Sequence, residues 1–205
     1  MNDKNLKDII IGVLALQGAF REHVEAIKKL KVKAIEIRNT GQLKGIDGLI
    51  IPGGESTTIY KLLTKYSFKP ALERFISLKK PIFGTCAGLV ILARKVINED
   101  FGYGFMDIVV DRNAYGRQVD SFESLLDLKG EERLNHRKFN AVFIRAPKII
   151  RAGINVKILG TLDDDIVIAR ENNILVCSFH PELTGDLRIH RYFIDMVKNS
   201  KNVKI

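Results

Sequence analysis

The chain is poor in cysteine and proline, and its apolar runs are short. Two cysteines among 205 residues exclude a disulfide framework and suit a reducing compartment. Five prolines, with no proline- or serine-rich stretch, leave no linker to divide the chain, and no internal repeat or low-complexity segment is present. With 46% hydrophobic residues the length suits one substantial core, so a single domain over 1–205 is expected. The polar opening Met1 to Asp8 is followed by an apolar run of eight residues, Ile9 to Leu16, too short for a signal core followed by a span. A cytoplasmic protein that does not enter a membrane is expected. Acidic residues are outnumbered, 24 against 33 lysines and arginines, for a net charge of +9. The cations are interleaved with acids along the whole chain rather than gathered in a stripe, which reads as solvated surface and not as a nucleic-acid footprint. Phosphorylated small molecules or an acidic protein partner remain compatible with that charge.

What is present is an alternation of strands and helices. Ile9 to Leu16 reads as a strand buried on both faces, stopping at Gln17-Gly18. Phe20, Val24, Ile27 and Leu30 follow at helical spacing, a second strand is expected near Lys33 to Ile37, and Gly48 to Pro52 makes a third. Strand, helix, strand, loop and strand argue a right-handed parallel α/β sheet. Pro52-Gly53-Gly54-Glu55-Ser56-Thr57-Thr58 leads into a helix through Ile59, Leu62 and Leu63, with Ser56 or Thr57 as its cap. Paired glycines at a strand's carboxyl end let backbone N–H groups face a ligand, although such a turn is as often purely structural. Beyond Phe101 the texture changes to shorter strands, near Met106 to Val110, Ser124 to Leu128, Ala141 to Ile144, Val156 to Leu162, Ile166 to Arg170 and Ile174 to Phe179. Hairpins or added antiparallel strands are expected there. Leu187 to Lys198 closes the chain as a helix whose stripe of Ile189, Phe193 and Val197 packs back on the sheet.

The stretch that carries chemistry is Gly84-Thr85-Cys86-Ala87-Gly88, after the apolar Pro81-Ile82-Phe83. Gly-x-Cys-x-Gly is the thiol analogue of the nucleophile elbow, a strand-to-helix corner whose neighbours must be small. A cysteine among apolar residues is commonly inert core. Glycines at 84 and 88 gain nothing in a plain strand or helix, so they argue for a sharp corner with Cys86 exposed at the head of a helix over Ala87 to Lys95. The free N–H groups and dipole there favour thiolate over thiol.

A thiol nucleophile wants a base, and there are four histidines. His23, His136 and His190 sit among charges or on helices and read as surface residues. His180 ends the run Ile174 to Phe179 and precedes Pro181-Glu182. Proline biases His180 to extended geometry, in which side chains two apart point the same way, so His180 and Glu182 can meet. The carboxylate then fixes the imidazole and leaves its other nitrogen for the thiol. Cys177 alternates away and reads as core. Cys86, Cys177 and His180 lack zinc-ligand spacing, so no metal and no cofactor is expected.

With these residues in place the chain resembles the class I glutamine amidotransferases, whose triad is Cys, His and Glu, and within them the glutaminase subunits of two-component pyridoxal 5'-phosphate synthases. The matching blocks are Gly12 to Ala19, Pro52 to Thr58, Gly84 to Gly88, Arg112 to Glu123, Phe143 to Pro147 and Cys177 to Thr184; Lys129 to Lys138 matches none of them. The expected fold class is α/β: a three-layer, flavodoxin-like, mostly parallel open sheet with antiparallel strands added in the C-terminal half. The resemblance implies hydrolysis of L-glutamine to glutamate and ammonia, with ammonia passed to a barrel-shaped synthase subunit that builds pyridoxal phosphate from a pentose phosphate and a triose phosphate. Carried over by position, it implies attack by Cys86, proton transfer by His180 and orientation by Glu182. A glutamine pocket would be formed by Gly54, Glu55, Ser56, Arg112, Ile144 and Arg145. An oxyanion hole would come from the N–H groups of Ala87 and Gly54. Arg112 is suited to the substrate carboxylate, and the Gln17-Gly18 turn, on the same sheet edge, would lie near the docking surface. A stand-alone thiol hydrolase acting on amide or γ-glutamyl bonds could use the same triad, and a non-catalytic α/β binding protein would be expected to have lost part of it.

Overall fold

The computed structural model describes residues 8–112, 121–129, 134 and 137–202. The first half alternates strand and helix: β1 (Ile10–Leu14), α1 (Phe20–Lys29), β2 (Lys33–Ile37), β3 (Gly48–Ile51), α2 (Ser56–Lys65), α3 (Phe68–Ser77), β4 (Ile82–Thr85) and α4 (Ala87–Leu92). The second half is mostly strand: β5 (Ala93–Val96), β6 (Met106–Asp111), β7 (Ser121–Leu126), β8 (Phe139–Ile144), β9 (Lys148–Ala152), β10 (Lys157–Leu162), β11 (Asp165–Glu171) and β12 (Ile174–Cys177), closed by α5 (Arg188–Asn202).

The main sheet runs β2-β1-β3-β4-β12-β11-β9-β6-β5, with β10 branching from β11. Its first five strands are parallel. The antiparallel pairs β12/β11, β11/β9 and β9/β6 extend it, and β7 and β8 form a separate two-stranded sheet. This is the expected architecture, a parallel core with antiparallel additions.

Alternation along the central strands builds two cores. Leu14, Leu49, Ile51, Ile82 and Val176 face one side, where they meet Ile59 and Leu63 of α2, Phe68, Leu72 and Phe75 of α3, and Leu89 of α4. Ile11, Val13, Ile50, Phe83 and Leu175, one position out of step, face the other, with Val24 and Ile27 of α1 and Ile189, Phe193 and Val197 of α5. Strands β3, β4 and β12 are buried at every position, as parallel strands covered on both faces must be.

Four local expectations are corrected. The helix after Cys86 ends at Leu92 rather than Lys95, and Ala93–Val96 continues as β5, paired parallel with β6. An apolar run of that length suits either element, and sheet pairing decides. Strand β7 covers Ser121–Leu126 rather than 124 to 128, and β12 stops at Cys177 rather than Phe179. The cap of α2 is Glu55, whose carboxylate accepts from the N–H groups of Thr57 and Thr58, rather than Ser56 or Thr57. Within Lys129 to Lys138, residues 130–133 and 135–136 lie outside the described residues, and with them His136.

Candidate active site

The two glycines of the Cys86 motif are there because the backbone is crowded. A Cβ on Gly88 would stand 2.0 Å from the carbonyl oxygen of Ile51, and one on Gly84 would stand 2.7 Å from the backbone of Gly88. Strand β4, helix α4 and strand β3 are thus in backbone contact at the corner. Cys86 itself makes the turn, at φ 47° and ψ −103°, a conformation that a non-glycine residue adopts only when its surroundings hold it there. Its N–H donates to the carbonyl of Cys177 at 2.8 Å, tying the corner to β12, and its thiol reaches toward the Ile144 carbonyl at 3.8 Å. Cys86 is buried rather than exposed, 7% accessible, and its open side faces a cleft of ≈ 510 Å³.

His180 lines the same cleft. The His180 backbone is anchored by its N–H to the Val142 carbonyl at 2.8 Å, and its imidazole Nδ1 lies 2.7 Å from Glu182 Oε1. The contact forms across a 3₁₀ turn at Pro181–Leu183, not along an extended strand. A turn closes the distance that extended chain would leave between residues two apart. Glu182 is buried behind the histidine. Burial raises its pKa, but His23 and His180 beside it outweigh that and hold the carboxyl below its ordinary value, so it is ionised at neutral pH. For His180, burial works toward neutrality, while hydrogen bonds with Cys86 and Glu182 overcome it and raise the pKa to about 10. With Nδ1 held by Glu182, Nε2 is the nitrogen left for the thiol.

The glycine turn after β3 forms the opposite wall. Gly54, Glu55 and Ser56 line the cleft, as do Ala87 and Arg112, and Ile144 and Arg145 close it from the end of β8. The Gly53 N–H donates to Thr85 Oγ1 at 3.0 Å, and the Gly53 carbonyl accepts from Ala19 N–H at 3.0 Å. Gln17 Oε1 accepts from Glu55 N–H at 3.0 Å. The turn after β1 therefore braces the turn after β3, and Gly18, at φ 96°, has the Gly53 carbonyl where a side chain would be. The N–H groups of Ala87 and Gly88, in the first turn of α4, have no partner within the helix, and Ala87 borders the cleft.

Arg112, at the end of β6, is already engaged. It pairs with Glu99 at 2.6 Å and donates to Thr57 Oγ1 at 2.9 Å and Ser56 Oγ at 3.3 Å, with Glu55 Oε1 at 3.7 Å. One cation thus bridges the α2 cap and the loop after β5. Glu55 is pulled to a pKa of about 2: burial opposes this, and hydrogen bonds from Thr58 and Thr57 prevail. Cys177 is fully buried core, and burial pushes its thiol well up. Among the described residues no group of three or more His, Cys, Asp or Glu is arranged to hold a metal ion, and no helix is long and apolar enough to cross a membrane.

The reading of His23 and His190 as surface residues is overturned, since both are 0% accessible. His23 Nε2 stands 3.3 Å from Glu182 Oε2 and 3.2 Å from Thr85 Oγ1, and its Nδ1 is 2.9 Å from His190 Nε2. The signal was in the spacing. His23 lies three after Phe20 and four before Ile27, and His190 lies three before Phe193 and seven before Val197, so both occupy the buried stripes of their helices.

A cysteine on a strand-to-helix corner, faced by a carboxylate-backed histidine at the carboxyl edge of a parallel sheet, is the arrangement that thiol-dependent nucleophilic catalysis requires. The chain belongs to the SNO glutamine amidotransferase family, whose family model matches residues 13–199. It is similar to the "Pyridoxal 5'-phosphate synthase subunit PdxT" of Anoxybacillus flavithermus, 53% identical over 192 residues, 93% of this chain and 98% of that one. The protein of the same description from Thermotoga petrophila is 50% identical over 189 residues, 92% and 99% of the two chains. A solved structure described as a glutamine amidotransferase superposes with a TM-score of 0.86 at 44% identity, covering 92% of this chain and 98% of that one.

Proposed function

We propose that this chain is the glutaminase subunit of a pyridoxal 5'-phosphate synthase, hydrolysing L-glutamine at Cys86 and delivering ammonia to a separate synthase subunit. The observation that carries the reading is the convergence, on one cleft, of Cys86 at its strained corner and His180 held by Glu182. Cys86 passes its proton to His180 Nε2 and its Sγ attacks the side-chain amide carbon, while the N–H groups of Ala87 and Gly54 receive the developing oxyanion; removing such a donor typically costs about 3 kcal/mol of barrier. Nε2–H of His180 protonates the amide nitrogen, the C–N bond breaks, and ammonia leaves a γ-glutamyl thioester on Cys86. Water, losing its proton to the same Nε2, attacks the thioester, the thiolate departs and glutamate is released. Side chains and water account for every proton.

Glu55, Ser56, Ile144 and Arg145 shape the glutamine pocket in this reading, and Arg112 meets the substrate carboxylate. The synthase subunit docks near Gln17, whose hydrogen bond to Glu55 N–H links that face to the oxyanion turn. Two unpaired, buried thiols fit the cytoplasm as the compartment.

The test is the rate of glutamate formation with and without the barrel subunit, with co-purification as the control. Stimulation on complex formation is expected. A full rate alone, unchanged by the partner, would favour a stand-alone thiol amidohydrolase instead.

A further inference from the structure

The triad as described uses one oxygen of Glu182 and leaves two buried histidines with no part in the reaction. We infer that His23 is a positioning residue: its Nε2–H holds the second oxygen of Glu182, and His190 behind it fixes the tautomer that makes this possible. The inference rests on the reading of Glu182 as the carboxylate that orients His180.

Glu182 Oε1 is taken by His180 at 2.7 Å, whereas Oε2 is buried and accepts no well-aligned hydrogen bond among the described residues. His23 Nε2 faces it at 3.3 Å, an ion-pair distance. An ionised carboxylate only accepts, so that nitrogen must carry the proton, shared with Thr85 Oγ1 at 3.2 Å. Burial pushes His23 below its ordinary pKa, against the pull of Glu182, so the ring is neutral and its Nδ1 is bare. A bare Nδ1 needs a donor, and His190 Nε2 lies 2.9 Å away. Burial also lowers His190, to about 3, so it too is neutral and carries its single proton on Nε2. Of the ring nitrogens of these two histidines its Nδ1 is then the one without a partner, and it is left as a bare acceptor rather than as an orphaned N–H. The opposite pair of tautomers would turn a lone pair of His23 on the carboxylate and orphan an N–H on His190.

The groups facing this pair come from three elements: Glu22 on α1, Thr85 and Phe83 on β4, and His180 and Glu182 at the 3₁₀ turn. Behind them Cys177, at the end of β12, acts on Glu182, and Phe193 on α5 packs against Phe83. Phe83 meets both imidazoles edge-on, with centroids 6.2 Å from His23 and 6.1 Å from His190, which fixes the two ring planes. Helices α1 and α5 are thereby connected to the catalytic carboxylate by side chains that never reach the cleft.

The experiment uses the full complex with the synthase subunit and compares His23→Leu with His23→Gln, whose side-chain amide can place an N–H near the position of Nε2. His23→Leu should lower kcat about 10- to 100-fold with KM for glutamine within about twofold, because the group lost acts through the carboxylate and not on the substrate. His23→Gln should recover most of the rate. A folded His23→Leu protein at wild-type kcat overturns the inference, and so does a folded His23→Gln protein as slow as His23→Leu, which would make the role one of packing. If His23→Leu does not fold, His23→Gln against His23→Asn decides, since the shorter amide cannot reach Glu182; equal rates would overturn the inference. Absence of glutamine hydrolysis by the wild-type complex would fault the functional reading itself and is told apart by that control.

Discussion

A single methyl group at position 53 should disable the site without unfolding the protein. An ideal Cβ on Gly53 lies 2.4 Å from His180 Cε1, 3.0 Å from its Nδ1 and 3.3 Å from Cys86 Cβ. Non-bonded carbon atoms settle at about 3.5–4.0 Å, so the imidazole must retreat by roughly 1 Å. It cannot do so freely, because Nδ1 is held by Glu182 at 2.7 Å and the ring is buried. Gly53 is not in the left-handed region, so alanine fits its backbone and the side-chain clash is what remains. Displacement of a reacting group by about 1 Å can cost about 100-fold in rate, while overpacking costs about 1–3 kcal/mol of stability. Gly53→Ala should therefore give a folded protein that still binds the synthase subunit and forms glutamate about 100-fold more slowly. Gly88→Ala is the contrast: its Cβ would meet the Ile51 backbone oxygen at 2.0 Å, and loss of folding is expected. A Gly53→Ala complex within about threefold of the wild-type rate would refute the packing argument, since the retreat it requires is what carries the loss.

Further outcomes follow from the same contacts. Thr85→Val removes the acceptor of the Gly53 N–H and should cost about 1–3 kcal/mol in chemical denaturation, with the rate also reduced; unchanged stability would show that the N–H finds another partner. His180 has its pKa raised to about 10, so its contribution to stability is complete below about 6.5 and is lost as pH rises through about 10. Denaturation across that window should show a steeper loss for wild type than for Cys86→Ala or Glu182→Gln, each lacking one of the raising partners; parallel curves would contradict it. Arg112→Ala should raise KM for glutamine more than it lowers kcat. Glu55→Ala should cost about 1 kcal/mol as a lost helix cap, read from thermal melting.

Sequence pattern revealed the parallel half of the sheet because β1, β3, β4 and β12 are continuous apolar segments bounded by turn residues. It revealed the corner as well, since only backbone crowding explains glycine at both 84 and 88. Strand β5 was hidden because Leu89 to Val96 is apolar enough for either element, and only its pairing with β6 settles the matter. Helix α3 begins Phe68-Lys69-Pro70, and a proline in the first turn reads as a break although it is tolerated there. The contact of His180 with Glu182 was foreseen for a reason that does not hold, because a turn and not an extended strand brings them together. His23 and His190 were missed because polarity was weighed above spacing. A histidine on a buried stripe is found by its period.

The account stands or falls on the sulfur of Cys86. The measurement that tests it most directly is ammonia and glutamate release from L-glutamine by the complete complex, wild type against Cys86→Ala, with the variant shown to fold and to bind the synthase subunit. Release should fall to the uncatalysed level in the variant. A Cys86→Ala complex that still frees ammonia from glutamine would contradict the mechanism proposed here.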